Sequence, residues 1–451
     1  MHEVSHLQRI LGLRPRTEFL ILLVIGFVTS LAGLTMALNF IPWLIGWHVL
    51  IISIGLLDVA FLLRGHKFHF SRQVPEVLSC GDEFEIQYSL RSSKPIEVFI
   101  RDEHPLEISS LSSEKNFEWR RITHEVQRWS ERFSANKRGN CRWTKSNLII
   151  RSPLRMWAQR LQPQLPVSVL KIFPRLSSSD SNLYDPTLLL AEFGIRPKGR
   201  RRGVGQEFRR LRPLSPGDSI RRIDWRATAR SQRHMVREYQ PDERSEVLLC
   251  LDFGRLMGVR NSDDRTKLDE AIDAVARFAL VAIASGDKVG ILTFGDRVRD
   301  FVPPADGTMQ FRLLLESIYD LKASQNESNF TATFSKISQA NFKHSLIVFF
   351  TDFVDQRSAD DLLRSLNLLV KKHRILFVSI SDPASEDVIY EPVQSTEQLS
   401  LSLAALHLSL ERDRLTHKIS RLGIEALDLG PDELTSGAIN AYLQLRHRGD
   451  I

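Results

Sequence analysis

Two long apolar runs come early in the chain, a stretch of period-two alternation follows, and near-continuous apolar strands divided by helical spacing fill the second half. Residues 19–38 carry no charge over twenty positions. At 1.5 Å per residue that is about 30 Å of helix, the thickness of a bilayer hydrocarbon core. After a short "NFIP" break, residues 43–63 form a second run. So brief a link predicts a transmembrane helical hairpin over 18–64, behind a tail at 1–17. Trp43 and Trp47 fall near its turn, where an aromatic belt is expected. Arg9, Arg14 and Arg16 precede the hairpin, and Arg64, Lys67 and Arg72 follow it. The positive-inside rule then places both ends in the cytoplasm. A secretory signal peptide fits less well, because no A-x-A site follows and a second apolar run comes at once. Asp58 interrupts that second run. It reads either as a functional buried acid or as one member of an interfacial ion pair with Arg64, two helical turns away.

From 65 to 175 the segments "FHFSRQVP", "EFEIQYSL", "IEVFIRDEHP", "CRWTKSNLIIRSP" and "VSVLKIFP" alternate with period two between Gly, Pro and Ser breaks. This predicts a β-sandwich of immunoglobulin-like kind. From 241 to 451 the rhythm changes. "EVLLCLDFG", "KVGILTFGD", "SLIVFFTDF" and "RILFVSISD" read as strands buried on both faces, with helical stretches at 267–284, 309–321 and 359–371 between them. The terminal "IEALDLGPDELTSGAINAYLQLR" adds one more strand and helix. Alternating strands and helices predict a doubly wound α/β domain, whose ligands gather beyond the carboxyl ends of the strands. The preceding "MVREYQ" is expected to pair with "EVLLCLDF" as a hairpin at the sheet edge.

Composition alters this picture in one place. A hydrophobic fraction of 43% and a charged fraction of 25% are those of an ordinary globular chain. The net charge of +7 is local: residues 198–233 hold twelve Lys/Arg against Glu207, Asp218 and Asp224, a surplus of nine, so the remainder sums to −2. The basic segment therefore lies within 176–240. Nucleic acid would use its arginines as phosphate contacts, but Phe208 and Trp225 are its only aromatics, too few for stacking platforms. A structural clamp, or docking of a partner or anionic lipid, is the better reading. Cys80, Cys141 and Cys250 lie far apart, and no Cys/His metal spacing occurs.

The densest stretch is "GQEFRRLRPLSPGDSIRRIDWRATAR", residues 205–230. Pro216 and Gly217 supply a turn. Asp218 is placed to cap a short helix with Ile220, Ile223 and Ala227 on one face. Arg221 and Asp224 sit three apart for a charge-assisted contact, and Trp225 offers an apolar plate. Arg212, Gly217, Asp218, Arg221, Asp224, Trp225 and Arg230 are the candidate signature residues, structural or partner-binding. Three acids stand at strand ends, Asp252, Asp296 and Asp352. They either cap the helices that follow or jointly hold a hard divalent cation. No G-x-x-x-x-G-K-[ST], H-E-x-x-H or G-x-S-x-G motif is present. The expectation is no enzyme. The alternative is a metal-dependent phosphodiesterase built on those three acids.

That 205–230 run resembles the signature of the bacterial "domain of unknown function fifty-eight" family. "SPLRMWAQR" with "VSVLKIFPRL", the apolar hairpin and the terminal "AYLQLRHRG" are similar too. The resemblance implies a von Willebrand factor A-like fold for 241–451. It also implies a multi-pass protein of the bacterial inner membrane, with cytoplasmic domains, acting as a partner of a MoxR-type AAA+ ATPase. It further implies a metal-ion-dependent adhesion site of the form D-x-S-x-S with a distant Thr and Asp. Here these are Asp252, Thr331 and Asp352, but "DFGRL" puts Gly254 and Leu256 where both serines belong. With two hydroxyl ligands gone, such a degenerate site holds Mg²⁺ at most weakly. The expected function is a non-enzymatic, membrane-anchored adaptor or assembly factor.

Overall fold

Apolar length decides the first two helices. The computed structural model describes residues 13–35, 40–63, 68–93, 95–111, 119–123, 125–144, 146–163, 165–175, 207–213, 223–231, 233–240, 245–261, 264–340, 342–352, 356–381, 388–390, 392 and 394–451. Helix α1 covers Thr17–Thr35 and α2 covers Phe40–Leu63. The Trp47 indole donates to the Leu22 carbonyl across the hairpin at 3.1 Å. Its ring fits only because residue 26 is glycine, where a Cβ would fall 1.9 Å from Trp47 Cδ1. Leu20, Val24, Phe27, Leu50 and Leu57 turn outward, each at least half exposed. Among the described residues one helix, Leu44–Leu63, is long and apolar enough to cross a membrane, and Thr17–Thr29 is a shorter apolar stretch.

The first of two compact units, Met1–Arg175, joins this hairpin to a β region. Its strands are β1 (Leu13–Pro15), β2 (Phe68–Gln73), β3 (Val77–Ser79), β4 (Glu83–Ser92), β5 (Ile96–Asp102), β6 (Ile108–Ser110), β7 (Arg120–Ile122), β8 (Gln127–Ala135), β9 (Gly139–Trp143), β10 (Ser146–Arg151), β11 (Trp157–Leu161) and β12 (Ser168–Phe173). They form sheets ordered β1-β11-β10-β5-β7, β2-β4-β8-β6 and β3-β12-β9. Every pairing is antiparallel except β3 with β12. In β4 the buried positions Phe84, Ile86, Tyr88 and Leu90 alternate with exposed or half-buried ones, and they enter one core with Phe133, Trp143, Leu148 and Ile172. Asp58 is buried where α2 meets this region, and its Oδ1 accepts the Leu154 N–H at 3.2 Å. Arg64, its expected partner, lies outside the described residues. Phe19 meets Trp157 at 5.3 Å between ring centroids. Cys80, Cys141 and Cys250 form no disulfide with one another.

The second unit, Leu176–Ile451, is built on parallel strands. A short antiparallel pair comes first, β13 (Glu207–Pro213) with β14 (Met235–Gln240), and α3 (Trp225–Ser231) lies between them in the chain. Then follow β15 (Glu246–Asp252), α4 (Lys267–Ala284), β16 (Lys288–Phe294), β17 (Val298–Ala305), α5 (Thr308–Ile318), α6 (Phe330–Gln339), β18 (Leu346–Thr351), α7 (Gln356–Val370), β19 (Arg374–Ile380), α8 (Thr396–Arg421), β20 (Glu425–Leu429) and α9 (Pro431–Arg448). The sheet runs β17-β16-β15-β18-β19-β20, parallel except at the β17 edge. Cys250, Phe349 and Phe377 pack in one cluster with residues of α6, α7 and α8. Phe350 points the other way, to Phe278 of α4 at 6.3 Å, and Phe278 in turn meets Tyr442 of α9 at 5.1 Å.

One expected pairing differs. β14 pairs with β13, not with β15, because β15 has parallel neighbours on both sides and presents no edge. Its central place matters for the site. The chain leaves β15 for β16 on one side and later returns to β18 on the other. The order therefore reverses between β15 and β18, and in sheets of this kind ligands gather beyond the carboxyl ends of the strands at such a switch point.

Candidate functional site at the strand ends

Asp252 ends β15 and Asp352 directly follows β18, so both carboxylates stand at that switch point, and both are buried. Asp252 is held by donors alone. Its Oδ1 accepts from the Gly254 N–H at 2.7 Å and the Ser328 hydroxyl at 2.5 Å, and its Oδ2 from the Thr351 hydroxyl at 2.6 Å. Ser328 arrives because its loop is laced to the strand end. The Arg255 N–H donates to Asn326 O, Ser324 N–H to Phe253 O, and Asn329 N–H to Gly295 O. A Cβ on Gly254 would fall 2.0 Å from Ser328 Oγ. The space that a side chain at 254 would take is thus filled by a hydroxyl from 74 residues further on (328 − 254).

Asp352 is held by cations. Lys267 Nζ donates to its Oδ2 at 2.6 Å and to the Ile380 carbonyl at 3.1 Å. Arg412 Nη1 donates to its Oδ1 at 2.5 Å, while the same guanidinium reaches Asp428 at 2.7 Å and Ser379 at 2.8 Å. Lys267 stands at the first position of α4, fixed there by a reciprocal Thr266–Asp269 capping box. A lysine in a first turn opposes the helix dipole, and the facing carboxylate offsets that opposition. Burial works against the charge on Arg412, but Asp352 and Asp428 outweigh it and raise its pKa.

Burial pushes the Asp252 carboxyl up to about 6 from an ordinary 3.8, against the hydrogen bonds from Ser328, Thr351 and Gly254 and with the help of Asp352. Between those pH values the folded form holds a proton that the unfolded chain has released. The stabilising contribution of this group is therefore complete below 3.8 and is lost as pH rises through about 6. Its size is on the order of 3 kcal/mol at 1.36 kcal/mol per unit. Stability measured from pH 4 to 7 should show this fall, and Asp252→Asn should flatten it. An identical pH slope in the variant would assign the fall to another group.

The remaining candidates are placed differently. Thr331 is exposed on the first turn of α6, and Ser328 and Thr351 supply the hydroxyls on Asp252 instead. Asp296 is exposed and accepts from Asn326 Nδ2 at 3.2 Å. Among the described residues no three of His, Cys, Asp and Glu come together as a metal would require. The oxygens of Asp252 and Asp352 are already engaged, and the charge opposite Asp352 is supplied by Lys267 and Arg412. This donor set does not fit a divalent ion, which would have to displace an ammonium and a guanidinium. Thr351 could be noticed beside Asp352 in "FFTDF". Lys267, Arg412 and Ser328 carry no local signal, since each reaches the site only through tertiary packing.

In the basic segment Asp224 caps α3. Its Oδ1 accepts from Arg226 N–H at 3.0 Å and Ala227 N–H at 3.1 Å, starting α3 at Trp225. Its own N–H donates to Met235 O, and the Thr228 hydroxyl accepts from Met235 N–H, so α3 is tied back to β14. Trp225 is 65% exposed, edge-on to His234, and Arg230 is exposed. Gly217, Asp218, Arg221 and the Arg212 side chain lie outside the described residues. Asp224→Ala should cost about 1 kcal/mol, the usual loss for an N-cap, read as a lower unfolding midpoint. No change would mean that the cap is dispensable.

Residues 210–392 match the family described as "Protein of unknown function DUF58". The match takes in both the capped helix and the two strand-end acids. An uncharacterized protein of Mycobacterium tuberculosis, Rv1480, is 22% identical over 264 residues, 55% of this chain and 82% of its own length. The Mycobacterium bovis protein Mb1516 matches to the same extent. Among solved structures, the conserved hypothetical protein BatB from Bacteroides thetaiotaomicron aligns over 40% of this chain and 98% of its own. The identity is 14% and the TM-score 0.26, too low to bear on the fold.

Proposed function

We propose that this chain is a non-enzymatic, membrane-anchored adaptor whose α/β domain, von Willebrand factor A-like in kind, offers its strand-end surface to a protein partner. The partner class is a MoxR-type AAA+ ATPase. The apolar hairpin anchors the chain as a multi-pass protein of the bacterial inner membrane, and the β-sandwich and α/β domains lie in the cytoplasm. One observation carries the reading. The acids that a metal-dependent adhesion site or a metal hydrolase would need are engaged by Lys267, Arg412 and two hydroxyls of the same chain. Such a closed, internally neutralised cluster supports the rigid presentation of the loops around it. Partner binding is accordingly metal-independent.

The test is purification of the tagged full-length chain from its native membranes in mild detergent, with identification of everything that accompanies it. An AAA+ ATPase should be recovered, should survive an EDTA wash, and should be lost with Arg255→Glu. Arg255 is an exposed residue of the strand-end loop, 3.5 Å from Glu327. Elution by EDTA would overturn the metal-independent reading. Nuclease-sensitive nucleic acid without protein would make the basic segment the functional site instead.

A further inference from the structure

Helix α8 changes character halfway along. In its second half Glu411, Leu415 and Ile419 are buried against the body of the domain. From 396 to 410 no residue is buried, and no Asp, Glu, Lys or Arg occurs between Glu397 and Glu411. Six leucines in this arm are each between 42% and 62% exposed. A helix of that length is marginal in water by itself, and a contiguous exposed apolar patch marks an association surface. α8 also lies beyond residue 392, where the family match ends.

The spacing says what would cover it. Leu399, Leu403, Leu406 and Leu410 recur at intervals of four, three and four, the seam of a coiled coil. At 3.6 residues per turn they fall within roughly 60° of one another, on the side away from Leu415 and Ile419. Asp413 and Arg414 are both exposed and flank the end of this stripe on opposite sides. A two-fold parallel pairing sets the stripe against itself and brings each Asp413 to the second copy's Arg414. A membrane surface fits poorly. An in-plane helix needs a polar face opposite its apolar one, whereas here Leu401 and Leu408 occupy that face. The thirteen uncharged residues reach only about 20 Å, short of a span.

We propose that α8 is a self-association element: two copies of this chain pair in parallel through the stripe of Leu399, Leu403, Leu406 and Leu410. The proposal is independent of the adaptor reading, since it uses none of the strand-end residues.

The test uses the full-length chain in detergent, with its mass read by sedimentation at tens of micromolar. A dimer is expected. Leu403→Glu with Leu406→Glu should reduce it to a monomer with an unchanged far-UV spectrum, while Leu401→Glu on the other face should leave it dimeric. In a Cys80→Ser background, Leu399→Cys should cross-link to itself with a short bismaleimide, which an antiparallel pair would prevent. A wild-type monomer, a dimer that survives the double glutamate variant, or no Leu399→Cys cross-link would each overturn the proposal. So would a wild-type monomer whose α8 stripe is instead needed for binding to phospholipid vesicles.

Discussion

Asp352→Ala should lower the stability of the α/β unit by about 3–5 kcal/mol, the usual consequence of removing one member of a buried ion pair. The carboxylate is the shared acceptor of two cations, and its side chain is 2% exposed. Without it Arg412 keeps Asp428 and Ser379, but among the described residues Lys267 keeps only the Ile380 carbonyl. A buried ammonium with one neutral acceptor is an uncompensated charge, which favours opening of the strand ends to water. The urea midpoint should fall with little change in slope. Adding Lys267→Met should return part of the loss, because the charge left without a partner is then gone. If Asp352→Ala leaves the midpoint unchanged, water reaches this cluster and the closed-site reading fails.

Asp102→Ala should cost the β region a similar amount, about 3–5 kcal/mol. Arg72 is fully buried at its side chain and lies 3.1 Å from Asp102. The same carboxylate accepts from the Tyr88 hydroxyl at 2.9 Å and the Ser146 hydroxyl at 2.5 Å, while Arg72 also donates to the Trp143 carbonyl at 3.0 Å. Removing Asp102 takes the counter-charge from a buried guanidinium and the acceptor from two hydroxyls together. Tyr88→Phe removes one donor and should cost only about 1 kcal/mol. The Arg72 guanidinium sits 5.1 Å over the Trp143 ring, so near-ultraviolet circular dichroism should report Asp102→Ala separately from far-ultraviolet signals. Equal effects of the two substitutions would mean that the ion pair adds nothing beyond its hydroxyl partner.

The Arg72–Asp102 pair shows where sequence reading stops. Arg72 reads there as one of three basic residues fixing membrane orientation, yet its side chain is in the core of the β region. A charge count along the chain cannot distinguish a solvated arginine from a buried one. The same limit met Asp58, whose acceptor role toward the Leu154 N–H joins residues 96 positions apart.

Local patterns were sufficient for much else. Apolar length marked α1 and α2, period-two alternation marked β4, and continuous apolar runs marked β15, β16, β18 and β19, because each of these signals is written within a dozen or two neighbouring residues. Asp252 and Asp352 could be named as strand-end acids for the same reason. What the tertiary structure alone decided is which groups face them. Ser328 fills the space left by Gly254, Lys267 enters from the first turn of α4, and Arg412 comes from the middle of α8. Hydrogen bonds and ion pairs depend on distance in space, and the sheet order that brings these four segments together is set by the packing of whole elements. No spacing along the chain encodes it.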